Sequence, residues 1–469
     1  MKSQAHAFRS RATIALTDTA LQQALGNAKG GFVDKRAAAV GALPEFAELR
    51  RTAKEIKEHT LAHLDFYLER FERQVQASGG HVHWARTAEE ACEIVTRICG
   101  DAGKRVTKGK SMVGEEIAIN DALTAAGHEV VETDLGEYII QLADEPPSHI
   151  IAPAVHKTRG QISDLFEEHH AQYGLNQRVT EIPDIVDEAR GVLRAKFLAA
   201  DVGITGANLM IAETGSTAIV TNEGNGDLTS VLPKIHIVTA SIEKIVPTLD
   251  DASTILRVLA RSATGQEMSS YTTFFTGPRR EGDLDGPEEF HVVLLDNGRS
   301  EILGGEYREI LRCIRCGACL NHCPVYGSVG GHAYGWVYSG PVGSVLTPLL
   351  QGLKEAGNLP NACTLNGRCQ EVCPMSIPLP QMLRSLRKAE FSEKLTPPRT
   401  RLGLAVWAWL ARRPRLYRAV TGAIIGILNV LGRKRGRFTR LPLARGWTAA
   451  RDLPAPQGRT FMSQWRTAR

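Results

Sequence analysis

Nine cysteines occur in this 469-residue chain, and seven of them fall between Cys313 and Cys373. This clustering constrains the fold more than any other feature. An oxidised, secreted scaffold spreads its cysteines over the domain it staples, whereas thiols crowded into one stretch are suited to holding metal in a reducing compartment. The remaining pair, Cys92 and Cys99, is seven apart on the apolar face of one expected helix and reads as small core residues.

The first group runs Cys313-x2-Cys316-x2-Cys319-x3-Cys323-Pro324. Three thiolates spaced in this way wrap the corner of an iron–sulfur cubane, and the fourth points to a second cluster, as in bacterial ferredoxins. A structural zinc site needs paired CxxC units and not this continuous run. The second group, Cys363-Thr-Leu-Asn366-Gly-Arg-Cys369-Gln-Glu-Val-Cys373-Pro374, repeats the run with Asn366 in the second position. Exchange of the fourth thiolate assigns Cys313, Cys316, Cys319 and Cys373 to cluster one and Cys323, Cys363 and Cys369 to cluster two. Asn366 is then a weak or vacant ligand position. The expected cofactors are two [4Fe-4S] clusters, the second alternatively a [3Fe-4S] cluster or one completed by a non-cysteine ligand. Two clusters with interlocked ligand segments make a wire for single electrons.

The formal charge of +5 hides a strong asymmetry. From Leu395 onward there are 16 Lys or Arg and one acid, Asp452, so this tail carries +15 and the preceding residues −10. Such a tail is expected to dock on something anionic. The cluster Arg433-Lys434-Arg435-Arg437-Arg440 is of a kind that contacts nucleic acid; beside iron–sulfur motifs, an acidic partner or an anionic membrane surface is the preferred reading, and no nucleic acid is expected. The stretch Leu416–Leu431 carries Arg418 and Asn429 and falls short of the roughly 20 residues of a spanning helix. The first twenty residues contain no signal-peptide apolar core. The expected location is cytoplasmic, either free or peripheral on the inner face of the membrane.

Periodicity divides the chain into four parts: a helical N-terminal arm (1–75), an α/β domain (76–300), an α-helical two-cluster domain (301–394) and a basic helical C-terminal region (395–469). Leu61, Leu64, Leu68 and Phe71 form one apolar stripe in the arm. Thr87 and Glu90 make a capping box for a helix ended by Gly100. A helix is expected over Glu115–Ala126, and strands at HEVVE, HIIAP, on both sides of an ETGS turn, and at KIHIVTAS, TTFFTG and FHVVLLD. Strands alternating with helices imply a mainly parallel sheet covered on both faces. His236, inside a strand, is expected to pack in the core. His59 and His63 lie four apart on a helix and read as a solvated face.

Three blocks, GEEIAINDALTAAGHEVVETDLGEYIIQL, PSHIIAPAVHKTRGQI and AETGSTAIVTNEGNGDL, with KIHIV and EKIVP, resemble the LUD (lactate utilization) domain. The order of this domain, a two-cluster module and a basic tail with GWTAARDLP resembles the lactate utilization protein B family over about residues 50–465. The resemblance implies a sheet domain similar to ribose-phosphate isomerase and CoA-transferase relatives, followed by an α-helical ferredoxin module. It implies an iron–sulfur electron-transfer subunit of an NAD-independent L-lactate dehydrogenase complex, part of an oxidoreductase rather than an enzyme alone. Two partners are implied, a CCG-type cysteine-rich subunit and a LUD-only subunit. The family pattern SxxCxxCxxxCP has serine first and cysteine second, whereas here Cys363 is first and Asn366 second; the count of three thiolates is kept.

Open α/β sheets bind ligands outside the carboxyl ends of their strands. Glu213, Thr214 and Ser216 follow one expected strand and Asn222, Glu223 and Asn225 the next, so all six are candidates for one cleft; His156 and Lys157 are candidates for a carboxylate. Turn chemistry alone also accounts for ETGS and NEGNG. Neither GxGxxG nor a P-loop is present, which removes support for nucleotide chemistry. Two alternatives remain on sequence alone: a CoA-transferase- or isomerase-like LUD enzyme with regulatory clusters, and a redox-sensing scaffold. No catalytic residue is assigned.

Overall fold

Alternation along the buried strands shows how the α/β part is assembled. The computed structural model describes residues 3–441, 445–448 and 451–467, which leaves Ala449 and Ala450 of GWTAARDLP outside the described residues. The chain divides into two units, Met1–Glu390 and Phe391–Arg469. Ten strands lie in the first: β1 (His81–Ala85), β2 (Arg105–Lys108), β3 (Glu129–Glu132), β4 (Val202–Gly206), β5 (Leu209–Ile211), β6 (Ser216–Thr221), β7 (Ile235–Ser241), β8 (Ile245–Val246), β9 (Tyr271–Phe275) and β10 (Glu289–Leu295). Six of them form a wholly parallel sheet in the order β1-β10-β7-β4-β2-β3.

Side chains leave successive strand residues on opposite faces. Val238, Ala240, Val292 and Leu294 pack on one side against Leu64, Leu68, Phe71 and Val75 of the helix Leu64–Ala77. Ile237, Val293 and Leu295 pack on the other side against Val95 and Leu123. The apolar stripe expected in the N-terminal helices is buried throughout, from Leu61 to Phe71. A third layer, Leu135–Leu142, Arg159–His170 and Ile182–Leu198, has its own core around Phe166 and Val192.

Several local expectations change. A second sheet, in the order β8-β5-β6-β9, has two antiparallel pairs and one parallel pair. The HIIAP segment is not a strand. The imidazole Nδ1 of His149 accepts the backbone N–H of Ile151 and Ala152 at 3.0 and 3.1 Å, and Ser148 N–H closes the loop on the Pro153 carbonyl at 3.0 Å. The expected helix over 115–126 is two helices, Met112–Ile117 and Ile119–Ala125, broken at Ala118 with φ +58°. Thr87 caps its helix, but Glu90 turns to the Arg86 N–H at 2.7 Å rather than to the N–H of Thr87.

Between about 300 and 390 the chain is helical and shares one core with the N-terminal helices and the second sheet. The loop of Ser148 is joined to this part directly. Tyr326 Oη donates to the Ser148 carbonyl at 2.9 Å, and a Cβ at Gly331 would stand 1.7 Å from that oxygen, so only glycine admits the approach. N-terminal residues clasp the same region: Arg11 donates to the His332 carbonyl at 3.1 Å and Gln22 to that of Ser328 at 2.8 Å.

In the second unit the helices Pro398–Ala411 and Pro414–Gly432 pack on one another, and a short ribbon pairs Arg437–Phe438 with Leu453–Pro454. Among the described residues, no helix is long and apolar enough to cross a membrane.

Candidate metal centre

Both cysteine groups fold into the same turn. Arg315 and Gly317 flank Cys316 with φ of +59° and +72°, and Leu365 and Gly367 flank Asn366 with φ of +56° and +84°. A positive φ is uncommon for arginine or leucine, so its recurrence at one register marks a repeated chain path. A short helix follows each turn, Ala318–Asn321 and Arg368–Val372. Asn366 therefore stands at the backbone place of Cys316. It is exposed, and its Oδ1 accepts the Arg368 N–H at 3.2 Å.

Cys313, Cys316, Cys319 and Cys373 line one apolar cavity with Ile150, Val342 and Met375. Cys323, Cys363 and Cys369 are near enough for their charges to interact, and Cys319 feels both Cys373 and Cys369. None of the nine cysteines is in a disulfide. Burial, followed by the neighbouring thiols, pushes Cys316 and Cys319 well up and Cys369 to about 12. Several soft, convergent sulfur donors in a lining that holds no acidic residue suit a thiolate-bound iron–sulfur group, whose iron supplies the missing positive charge. Backbone N–H groups also face sulfur: Leu365 toward Cys363 at 3.2 Å and Tyr326 toward Cys323 at 3.5 Å.

Cations surround the first set. Buried Arg36 donates to the Val372 carbonyl at 2.8 Å, and Arg50 to that of Cys373 at 2.6 Å. Behind them lies a buried ionic chain. Glu116 takes two guanidinium bonds from Arg299, at 2.9 and 2.6 Å, and the Tyr338 hydroxyl at 2.6 Å. Arg299 Nε stands 2.9 Å from Glu243, which faces Arg315 Nη2 at 3.2 Å. Burial alone would raise the Glu243 carboxyl, but Arg299 and Arg315 outweigh it and hold it at about 2. Burial lowers Lys57, bound to the Glu243 and Ile245 carbonyls, to about 8. No periodicity or motif marks these residues; only the position of Arg315 between Cys313 and Cys316 singles it out.

A cleft of about 200 Å³ opens beside the first cysteine set. Its walls come from the residues that follow β2 (Lys110, Ser111), β3 (Asp134), β4 (Asn208) and β7 (Lys244), that is, from the carboxyl ends of four parallel strands. Asn222, Glu223 and Asn225 line it as well. Asn222 Oδ1 accepts from Gln266 and Ser270 at 3.1 Å, while Glu223 accepts the Leu135 N–H at 3.2 Å. Burial, then Asp134, raises the Glu223 carboxyl.

The other sequence candidates lie elsewhere. Glu213 accepts the Leu249 N–H at 3.1 Å at the start of a helix, so it forms no carboxylate pair with Glu223. Thr214 and Ser216 bond one another at 2.8 Å in the β5–β6 turn, which packs under the backbone of Gln74 and Val75. His156 and Lys157 both bind Glu145, at 2.7 and 2.6 Å, in a separate cavity with His332. They do not line the cleft at the strand ends. His236 is buried and bonds Thr205 Oγ1 at 2.9 Å.

The α/β domain joined to paired cysteine turns defines an iron–sulfur protein with a dicluster module. A LUD domain model matches residues 68–295 and a 4Fe-4S dicluster domain model matches 309–377. The chain is 45% identical over 466 residues to lactate utilization protein B of Shouchella clausii, covering 98% of this chain and 97% of that protein. It is 44% identical to lactate utilization protein B of Bacillus licheniformis, covering 98% and 96%. A crystal structure of a DUF162 family protein from Deinococcus radiodurans is 18% identical, covering 50% of this chain and 98% of its own, at a TM-score of 0.29. On the full-length relatives, the chain belongs to the lactate utilization protein B family.

Proposed function

We propose that this chain is the iron–sulfur electron-transfer subunit of an NAD-independent complex that oxidises L-lactate to pyruvate, working with a CCG-type cysteine-rich subunit and a LUD-only subunit in the cytoplasm. The observation that carries the reading is the convergence of Cys373, from the second cysteine group, on the cavity lined by Cys313, Cys316 and Cys319, the exchange of ligand segments that a two-cluster module uses. Cys313, Cys316, Cys319 and Cys373 would hold one group, and Cys323, Cys363 and Cys369 the other, with Asn366 beside the incomplete corner. Such groups supply reversible one-electron transfer when bound.

The chain's own residues set the conditions for that transfer. Ile150, Val342 and Met375 exclude water from the first set. Arg36, Arg50 and Arg315 place positive charge around it and favour an added electron. The exposed Asn366 corner is the more open to solvent. The basic second unit would dock the complex on an anionic membrane surface or an acidic partner.

The test is anaerobic reconstitution of the three-subunit complex. L-lactate should bleach the visible absorbance of this subunit within turnover. Absorbance that stays at its oxidised level while pyruvate accumulates rules the proposal out.

A further inference from the structure

We propose that Glu145, His156 and His332 bind one Zn²⁺ ion in the cavity that these residues share, away from the cysteine turns. Nothing in the family resemblance assigns this site, and the inference does not rest on the lactate-oxidising reading.

Three observations carry it. First, one donor atom from each of the three residues falls within 4.8 Å of the other two. Two imidazoles and a carboxylate are the ligand set of an open zinc site, whose fourth position is held by water. Mg²⁺ and Ca²⁺ take oxygen donors instead. Second, the His156 ring is incomplete as it stands. Its side chain is 9% exposed, and Nε2 bonds a Glu145 oxygen at 2.7 Å, yet Nδ1 is buried with no hydrogen-bond partner. A buried polar atom without a partner is costly. The His332 ring stands edge to face with it, centroids 4.4 Å apart, and its own Nε2 meets the Pro146 carbonyl at 2.7 Å. A carboxylate or a carbonyl on one ring nitrogen, orienting the other toward the ion, is the usual setting of a ligating histidine. Third, the donors are held in place before any ion arrives. Lys157 fixes the second Glu145 oxygen at 2.6 Å, and the Gly331 N–H, beside His332, donates to the Ser148 hydroxyl at 3.3 Å. The cavity of about 480 Å³ that all three residues line has room for the water that completes the shell.

Position gives the site its meaning. Glu145 and His156 belong to the α/β domain and His332 to the cysteine-bearing region, so one ion ties the two together where the Ser148 loop already joins them. Lys157 restrains the site, because it shares Glu145 with the ion.

The test uses the full chain, loaded anaerobically with iron and sulfide so that its cysteines are occupied, then equilibrated with one equivalent of zinc and desalted. One zinc per chain should remain. Its X-ray absorption spectrum should show nitrogen and oxygen neighbours at about 2.0–2.2 Å and no sulfur at about 2.3 Å. In competition with a chelator, His156→Gln and His332→Gln should each weaken zinc binding tenfold or more with iron content unchanged, and Lys157→Met should tighten it. The spectrum of the native chain decides the matter even where a histidine variant fails to load iron. Loss of all zinc on desalting overturns the inference. Sulfur in the shell overturns it as well, by placing the ion on the cysteines. So does a nitrogen shell indifferent to His332→Gln, which would place the ion elsewhere, for example on the exposed pair His59 and His63.

Discussion

Arg299 is held between Glu116 and Glu243 with no exposed side-chain surface. Its removal leaves two buried carboxylates facing one another, and the loss of one partner of such a set typically costs about 3–5 kcal/mol. Arg299→Met should therefore lower the denaturation midpoint of the loaded chain strongly, whereas an exposed pair such as Arg190–Asp187 should contribute under about 1 kcal/mol. Arg36 acts on charge rather than on packing. Arg36→Gln should shift the midpoint potential of one cluster downward in an EPR-monitored titration and leave the other unmoved. A buried histidine gives a pH signature. Burial lowers His236 from 6.5 to about 3, and likewise His149 and His156 to about 4. Between those values the unfolded chain takes up protons that the fold refuses, so stability is full above about pH 6.5 and is lost as pH falls toward 3. His236→Asn should flatten the slope of melting temperature against pH across this window. The core position of His236 was readable from its strand, whereas Glu116, Arg299 and Glu243 were not. Burial of a charge depends on a partner brought from far along the chain, and composition carries no trace of that partner.

At the scale of elements, the helix Leu64–Ala77 was legible because Leu64, Leu68 and Phe71 recur at helical spacing and a sheet face demands such a stripe. Leu68→Ala should cost about 2–5 kcal/mol in chemical denaturation. In the second sheet the strands on both sides of ETGS and at TTFFTG were legible, whereas β8, with two residues, is too short for alternation to show. HIIAP has strand composition, yet His149 satisfies the backbone locally and the loop is committed to Tyr326 and Gly331 instead. The cleft was half legible, since the loop after β6 reaches it and the β5–β6 turn does not. The repeated cysteine turn gives the sharpest test at this scale. Asn366 has the backbone of a ligand position, so Asn366→Cys should complete a second four-thiolate set. After mild oxidation, iron analysis should find one more iron per chain retained in the variant than in the native protein.

On the scale of the whole molecule, the charge asymmetry resides in the second unit. The helix Pro398–Ala411 has no buried residue, exposes Trp407 and Trp409, and stacks Arg413 over the Trp409 ring at 4.2 Å. Exposed aromatic residues interleaved with arginine suit an anionic interface. The full chain should sediment with vesicles containing phosphatidylglycerol, remain free with phosphatidylcholine alone, and dissociate at high salt. Retention on neutral vesicles, or indifference to salt, would exclude an electrostatic dock.

The clasp of the N-terminal helices on the cysteine-bearing region sets an order of events during synthesis. Gln22 and Arg36 bond residues 306 and 336 positions further along the chain. At about 5–20 residues per second, some 300 residues take the ribosome roughly 15–60 s. Throughout that interval Gln22 and Arg36 lack the partners they bond in the finished fold. Only when the last thiol, that of Cys373, has emerged can Arg36 and Arg50 close on the carbonyls of the turn that carries it.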